Sequence, residues 1–167
     1  VVPGSEGVSF LPYLNGERTP NLPNGSGVLH GLNPASATPA HLARAAMEGA
    51  TLGLGYGLQR FAALGLAPSE IRLTGGGSKS GVWRQIAADV FGVPVVSLAT
   101  AEGAGLGGAI QAAYADGKGG YQDLCDRLVS LDESSRCEPD AGVSSLYQEK
   151  LKRQIILTET LKGAELL

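Results

Sequence analysis

Cysteine is scarce in this sequence, and long hydrophobic runs are missing. Only Cys125 and Cys137 occur among the 167 residues, which is too few for a disulfide framework, and neither has partners at the spacing of a zinc site. No segment approaches the roughly 18 consecutive apolar residues of a membrane-spanning helix, and no secretory signal pattern is present. We therefore expect reduced structural cysteines and a cytoplasmic protein.

Positive charge is also in short supply. The 13 lysine and arginine residues are outnumbered by 16 aspartate and glutamate residues, and the net charge is −3. Nucleic acids and anionic membrane surfaces are bound through clustered positive charge, and the basic residues here form no cluster. The composition therefore predicts no nucleic-acid partner and no membrane partner, and it favours small-molecule ligands.

Glycine, in contrast, is abundant, with 25 residues in 167, about twice its usual share of ~7%. Several glycines fall inside a helix that is predicted from Pro39 to Leu64 and capped by Thr38. A glycine inside a helix costs about 1 kcal/mol relative to alanine, so a column of them predicts a neighbouring helix backbone at close range. The first column is Ala45, Gly49, Gly53 and Gly57, and a second is Ala104, Gly108 and Ala112.

The most informative stretch is a pair of predicted strands joined by a helix. EIRLT (70–74) alternates as a short strand does, and PVVSL (94–98) is a second, buried strand. Between them lie the turn Gly75–Gly77 and a helix that either Ser78 or Ser80 can cap. Such a unit implies a parallel pair of strands. Because ligands bind at the carboxyl ends of parallel strands, this turn is the predicted ligand site.

The remaining elements have weaker signals. Residues 9–14 and 27–32 are candidate strands, residues 118–142 a mostly polar connection, and residues 144–166 an amphipathic helix. Asp89 and Asp116 are expected to be solvated at the surface. The predicted apolar face of the last helix carries Tyr147, Leu151, Ile155 and Thr158, whereas Lys150 is expected among its exposed charged residues.

One motif points to a different ligand. Gly103, Gly105 and Gly108 form the spacing GxGxxG after a strand, as in dinucleotide-binding proteins. That interpretation also needs an acidic residue at the end of a following strand, about 20 residues further on. The sequence there, GKGGYQDLCDRL, is not strand-like. A dinucleotide-dependent oxidoreductase is therefore kept only as an alternative. A P-loop is excluded, because no glycine directly precedes Lys79.

Four segments have recognisable motifs: FLPYLNGERTP (10–20), GVLHGL to HLARAAME (27–48), LTGGGSKSGVWRQIAADVFGVPV (73–95) and AEGAGLGGAIQAAYA (101–115). In this order they resemble segments of the C-terminal domain of the FGGY family of carbohydrate kinases. The first segment is most similar to that of the xylulose kinases within the family. The second fits a family signature along its whole length, the third resembles the adenosine motif, and the fourth a glycine-rich helix.

The resemblance implies an α/β fold, the ribonuclease H-like (actin-like ATPase) domain, with a mixed sheet flanked by helices. Residues 1–167 would form the C-terminal domain, and the N-terminal domain lies outside this chain. ATP and Mg²⁺ are the implied cofactors. The catalytic aspartate and most metal ligands are expected upstream, so no catalytic or metal-binding residue is assigned here. The implied nucleotide-binding residues are Gly75, Gly76, Gly77, Ser78 and Ser80, the last at a position that is often asparagine in the family.

The implied reaction is phosphorylation of D-xylulose by ATP to D-xylulose 5-phosphate, with the isolated 167 residues inactive. Implied partners are ATP or ADP, a small sugar and the N-terminal kinase domain, and a homodimer is left open. Ribulose, gluconate or glycerol are alternative substrates. A further alternative from another class is a non-catalytic module that binds nucleotide or uses its small-residue columns for oligomerisation.

Overall fold

The computed structural model describes residues 1–100 and 102–167. Residue 101, where the segment AEGAGLGGAIQAAYA begins, lies outside the described residues. Short 3₁₀ helices are present at Ser5–Gly7 and Gly76–Lys79. The other elements, in chain order, are β1 (Ser9–Pro12), β2 (Gly27–His30), α1 (Pro39–Ala63), β3 (Ile71–Leu73), α2 (Gly81–Phe91), β4 (Val95–Leu98), α3 (Gly103–Ala115), α4 (Tyr121–Leu128), β5 (Leu131–Cys137) and α5 (Ala141–Gly163).

These elements belong to two compact units. The first unit contains Val1–Ala67, Asp89–Gly92 and Pro139–Leu167, and the second contains Pro68–Ala88 and Val93–Glu138. The predicted mixture of helices and strands is confirmed in both.

The first unit packs α1 and α5 with an antiparallel hairpin of β1 and β2. Both predicted strands are confirmed, as is the long helix with its cap, because the Thr38 hydroxyl accepts a hydrogen bond from the His41 amide. Leu11, Tyr13 and Leu22 form a buried cluster against Leu157 and neighbouring leucines. Burial of these side chains is what stabilises the hairpin.

The glycine column of α1 does not meet the backbone of a neighbouring helix as predicted. A Cβ atom at Gly49 would collide with the carbonyl oxygen of Phe10, so the close neighbour there is the backbone of strand β1. At Gly53 and Gly57 no described atom outside the adjoining helix backbone lies within 4 Å of the position of an added Cβ. The same holds for Gly108 in the second column. The regular spacing therefore reflects one close contact with a strand and several open positions.

Two charged residues of the first unit are buried, contrary to the sequence prediction. Lys150 is only 8% exposed, because its ammonium group donates to the carbonyl oxygens of Gly4 and Val8 and pairs with Glu48. Asp89 is 3% exposed, and its carboxylate accepts a hydrogen bond from the Asp140 amide at the start of α5. The partners of Lys150 and Asp89 lie far away in the sequence, so the periodicity of a single helix does not predict their burial.

The second unit contains a three-stranded mixed sheet in the order β3-β4-β5. The predicted parallel pair is confirmed, with Ile71 opposite Val95 and Leu73 opposite Ser97. Strand β5 runs antiparallel to β4. The polar connection predicted for residues 118–142 is wrong, because that stretch forms α4 and β5. Asp116 lies at the surface as expected, next to Lys118.

Candidate functional site

The candidate site lies at the carboxyl ends of β3 and β4. Because the strands are parallel, the connections that leave both of them meet at one edge of the sheet. The turn Gly75–Gly77 follows β3, and the start of α3 follows β4. A Cβ atom at Gly103 would lie 2.7 Å from the Thr74 hydroxyl oxygen, so the two connections are in direct contact.

The glycine turn leaves open space above its backbone. Gly75 has a φ of 84°, in the region that favours glycine, and the chain then enters the short 3₁₀ helix. A Cβ atom added at Gly75 or Gly76 would have no described neighbour within 4 Å, whereas one at Gly77 would touch the Trp83 ring at 3.5 Å. The first two positions therefore expose bare backbone, and the third faces the helix that follows.

The two serines of the predicted site point towards the protein. The Ser78 hydroxyl donates to the Gly75 carbonyl oxygen at 2.8 Å, and the residue is 7% exposed. The Ser80 hydroxyl accepts from the Trp83 amide at 3.3 Å, which makes Ser80 the cap of α2. The structure thus brings all five predicted residues together in one turn, with open space at Gly75 and Gly76 and with the serine hydroxyls closing the turn.

Sequence reasoning missed the residues that hold this turn from behind. Arg84, one helical turn into α2, donates from Nη1 to the Ser78 carbonyl oxygen at 2.8 Å and from Nε to the Ser135 carbonyl oxygen at 2.9 Å. Ser97 on β4 donates to the same Ser78 oxygen at 3.2 Å. The only available signal was the position of Arg84 near the start of the helix, because Ser97 and Ser135 depend on sheet pairing.

The open backbone of the turn leaves room for a flat group, and the described residues form no metal centre beside it. Within residues 1–100 and 102–167, no group of three or more His, Cys, Asp or Glu side chains is placed to hold a metal ion.

The same part of the chain has no helix that is both long and apolar enough to cross a bilayer.

The glycines of the GxGxxG spacing have other roles. Gly103 is needed because Thr74 lies so close, and Gly105 and Gly108 are exposed on α3. The strand after α3 is β5, which runs antiparallel to β4. A dinucleotide fold requires a parallel strand that ends in an acidic residue at this edge. The topology therefore does not support the dinucleotide alternative.

Comparison with known proteins identifies the family. The model of the C-terminal domain of the FGGY family of carbohydrate kinases matches residues 1–115. The chain belongs to the FGGY family of carbohydrate kinases. The resemblance inferred from the sequence segments is thereby confirmed.

Individual relatives agree with this assignment. The chain is 45% identical over 152 residues to a xylulose kinase of Haemophilus influenzae, an alignment that covers 91% of this chain and 31% of that protein. Among solved structures, a ligand-bound xylulose kinase from Lactobacillus acidophilus superposes with a TM-score of 0.86 at 27% identity, over 97% of this chain and 33% of that one. A gluconate kinase from the same organism gives 0.81 at 27% identity, over 96% and 32%.

The chain thus spans about a third of the length of this curated relative and of these solved structures. The predicted fold class is confirmed, because these structural neighbours have the actin-like ATPase fold of FGGY sugar kinases.

Proposed function

We propose that these residues form the nucleotide-binding C-terminal domain of an ATP-dependent xylulose kinase. The observation that carries the proposal is the open backbone of Gly75 and Gly76 at the carboxyl edge of a parallel strand pair. A side chain at either position would fill the space that a nucleotide needs, and glycine alone leaves it free. The position of the turn is where nucleotides bind in open α/β sheets.

The whole protein would transfer the γ-phosphoryl group of ATP to D-xylulose. Support for the sugar comes from the relatives, since the first eight of the curated proteins that match are all named xylulose kinase. A gluconate kinase is nearly as similar in structure, so gluconate is the alternative that a specific observation favours. Ribulose and glycerol remain weaker alternatives.

The proposed cofactors are ATP and Mg²⁺. The glycine turn fits the nucleotide, because its open backbone admits a flat group that a Cβ would exclude. No such fit is found for the metal in the described residues. We propose that the Mg²⁺ ligands and the catalytic aspartate lie in the two thirds of the protein that this chain does not span, and that the isolated chain is inactive.

A calorimetric titration of ADP into the full-length protein tests the nucleotide site. Gly76→Val should abolish binding without unfolding the protein, because the added side chain enters open space and the φ of Gly76 is ordinary. Gly120→Val is the matched control, since Gly120 is another exposed glycine of the same unit with open space around it. Unchanged ADP affinity in Gly76→Val would overturn the proposed site.

The substrate is tested by measuring ADP release from the full-length protein with D-xylulose, D-ribulose, gluconate and glycerol. The highest kcat/KM is expected with D-xylulose, and a preference for gluconate would replace the proposed substrate. The 167 residues alone should release no ADP in response to D-xylulose. Sedimentation that depends on concentration, together with absence of ADP binding, would instead support the oligomerisation module.

A further inference from the structure

We propose that Arg84 is a positioning residue that fixes the shape of the nucleotide turn. The inference rests on the proposed function, because it concerns the same site. Arg84 lies on α2 and is half-buried beneath the turn, and its guanidinium group binds protein backbone on two sides.

The Ser78 carbonyl oxygen is the anchor point. It accepts one hydrogen bond from Nη1 of Arg84 at 2.8 Å and another from the Ser97 hydroxyl at 3.2 Å. A carbonyl oxygen has two lone pairs, so both are occupied. Because a peptide unit is planar, fixing this oxygen fixes the orientation of the whole Ser78–Lys79 peptide unit within the short 3₁₀ helix.

The second hydrogen bond of Arg84 connects the turn to strand β5. Nε of Arg84 donates to the Ser135 carbonyl oxygen on β5 at 2.9 Å. The Ser135 hydroxyl accepts a hydrogen bond from the Ser97 amide at 2.8 Å and donates one to the Asp132 carbonyl oxygen at 2.6 Å. The turn is thus linked to β5 by the Arg84 side chain and to β4 by the Ser97 hydroxyl, and it cannot rotate without breaking these bonds.

Arginine is required by this geometry. The two accepting carbonyl oxygens belong to different elements and are reached by two nitrogens of one rigid planar fork. A lysine ammonium group is a point donor on a flexible stem and cannot hold both at fixed separation. Arg84 also has no carboxylate at ion-pair distance in the described ranges, so backbone carbonyl groups are its anchors.

The test measures the Kd for ADP and, separately, the Kd for D-xylulose by calorimetry on the full-length protein. Arg84→Met should raise the Kd for ADP by about tenfold, by analogy with the lower end of the loss that follows removal of a residue orienting the ligands of a metal site. Arg84→Lys should show most of that loss. Ser97→Ala, which removes only the second donor to Ser78, should show a smaller one. The Kd for D-xylulose should stay unchanged in all three.

Arg136→Met is the matched control. Arg136 is another half-buried arginine of the same unit, and it bridges Glu70 and Glu133 without contacting the turn. It should lower the melting temperature with no change in the Kd for ADP. If Arg84→Met does not fold, Arg84→Lys and Ser97→Ala decide the question. ADP affinity equal to wild type in those two variants would overturn the role of Arg84.

The failure of this inference can be told from failure of the proposed function. Loss of ADP binding in Gly76→Val with full affinity in the Arg84 variants overturns only the positioning role. ADP affinity that survives Gly76→Val, or is absent from the wild type, overturns the proposed site and this inference with it. A parallel rise in the Kd for ADP and for D-xylulose would mean a general loss of structure and would also overturn the inference.

Discussion

The carboxylate of Glu48 on α1 lies 3.2 Å from the ammonium group of Lys150 on α5, and both residues are buried. The other carboxylate oxygen of Glu48 accepts hydrogen bonds from the Gly4 amide, from Nε of Arg44 and from the Tyr147 hydroxyl. Glu48 is also the last residue of the family-like segment 27–48. Its position in that segment therefore corresponds to a structural role, which is joining α1, α5 and the segment before β1.

Replacing Glu48 by glutamine should destabilise the protein by about 3–5 kcal/mol, the range measured when one partner of a buried ion pair is removed. The substitution keeps the size of the side chain but leaves Lys150 and Arg44 without a buried anion. Urea unfolding of the 167-residue chain, followed by circular dichroism, measures the difference. Glu149→Gln, on the exposed side of α5, should cost about 0–1 kcal/mol. Equal effects of the two substitutions would contradict the prediction.

Alanine should have opposite effects at two glycines of α1 that are four residues apart. Gly49→Ala should destabilise by about 1–3 kcal/mol or more, because the new methyl group meets the rigid carbonyl of Phe10. Gly53→Ala should stabilise by up to about 1 kcal/mol, since the space is open and alanine favours the helix. The free energies of unfolding of both variants test this pair. Stabilisation by Gly49→Ala would show that the helix can shift away from β1.

In α3, the first and last glycines of the GxGxxG spacing, Gly103 and Gly108, should respond differently to alanine. Gly103→Ala should weaken ADP binding, because its methyl group would push Thr74 and with it the glycine turn. Gly108→Ala should leave ADP affinity unchanged and stabilise α3 by up to about 1 kcal/mol. Titrations of ADP and of NAD into the full-length protein distinguish the cases. Binding of NAD that is lost in Gly108→Ala would restore the dinucleotide interpretation.

The part of the fold that the sequence predicted well is the part with local signals. Strand β3, the glycine turn, α2 and β4 each carry a period, a cap or a glycine stop within a few residues. The stop at Gly92 is an example, because its φ is 68° and the helix ends one residue before it. The parallel pairing then follows from the right-handed connection.

Strand β5 was missed because it is polar. Its sequence LDESSRC has one buried residue, Ser135, and no alternation of apolar side chains. The strand is held by pairing with β4 and by the Ser135 hydroxyl, which requires knowing what lies beside it. Arg84 was missed for the same reason, since its acceptors belong to the turn and to β5.

Alkaline pH should lower the stability of the protein through the buried Tyr147 phenol. Burial, and then the nearby Glu48 carboxylate, raise its pKa above the ordinary value of 10.0. Above pH 10 the unfolded chain therefore loses a proton that the folded chain retains, so stability that is complete below pH 10 falls as the pH rises. Burial also raises the pKa of Tyr13, so Tyr13 changes the stability in the same direction. Burial lowers the pKa of Lys150, so Lys150 changes the stability in the opposite direction. The variant Tyr147→Phe lacks only the contribution of this phenol to the pH dependence. Its free energy of unfolding should fall less steeply with pH than that of wild type, and the two slopes should differ by about 1.4 kcal/mol per pH unit. Equal slopes for the two proteins in urea unfolding would show that Tyr147 titrates normally.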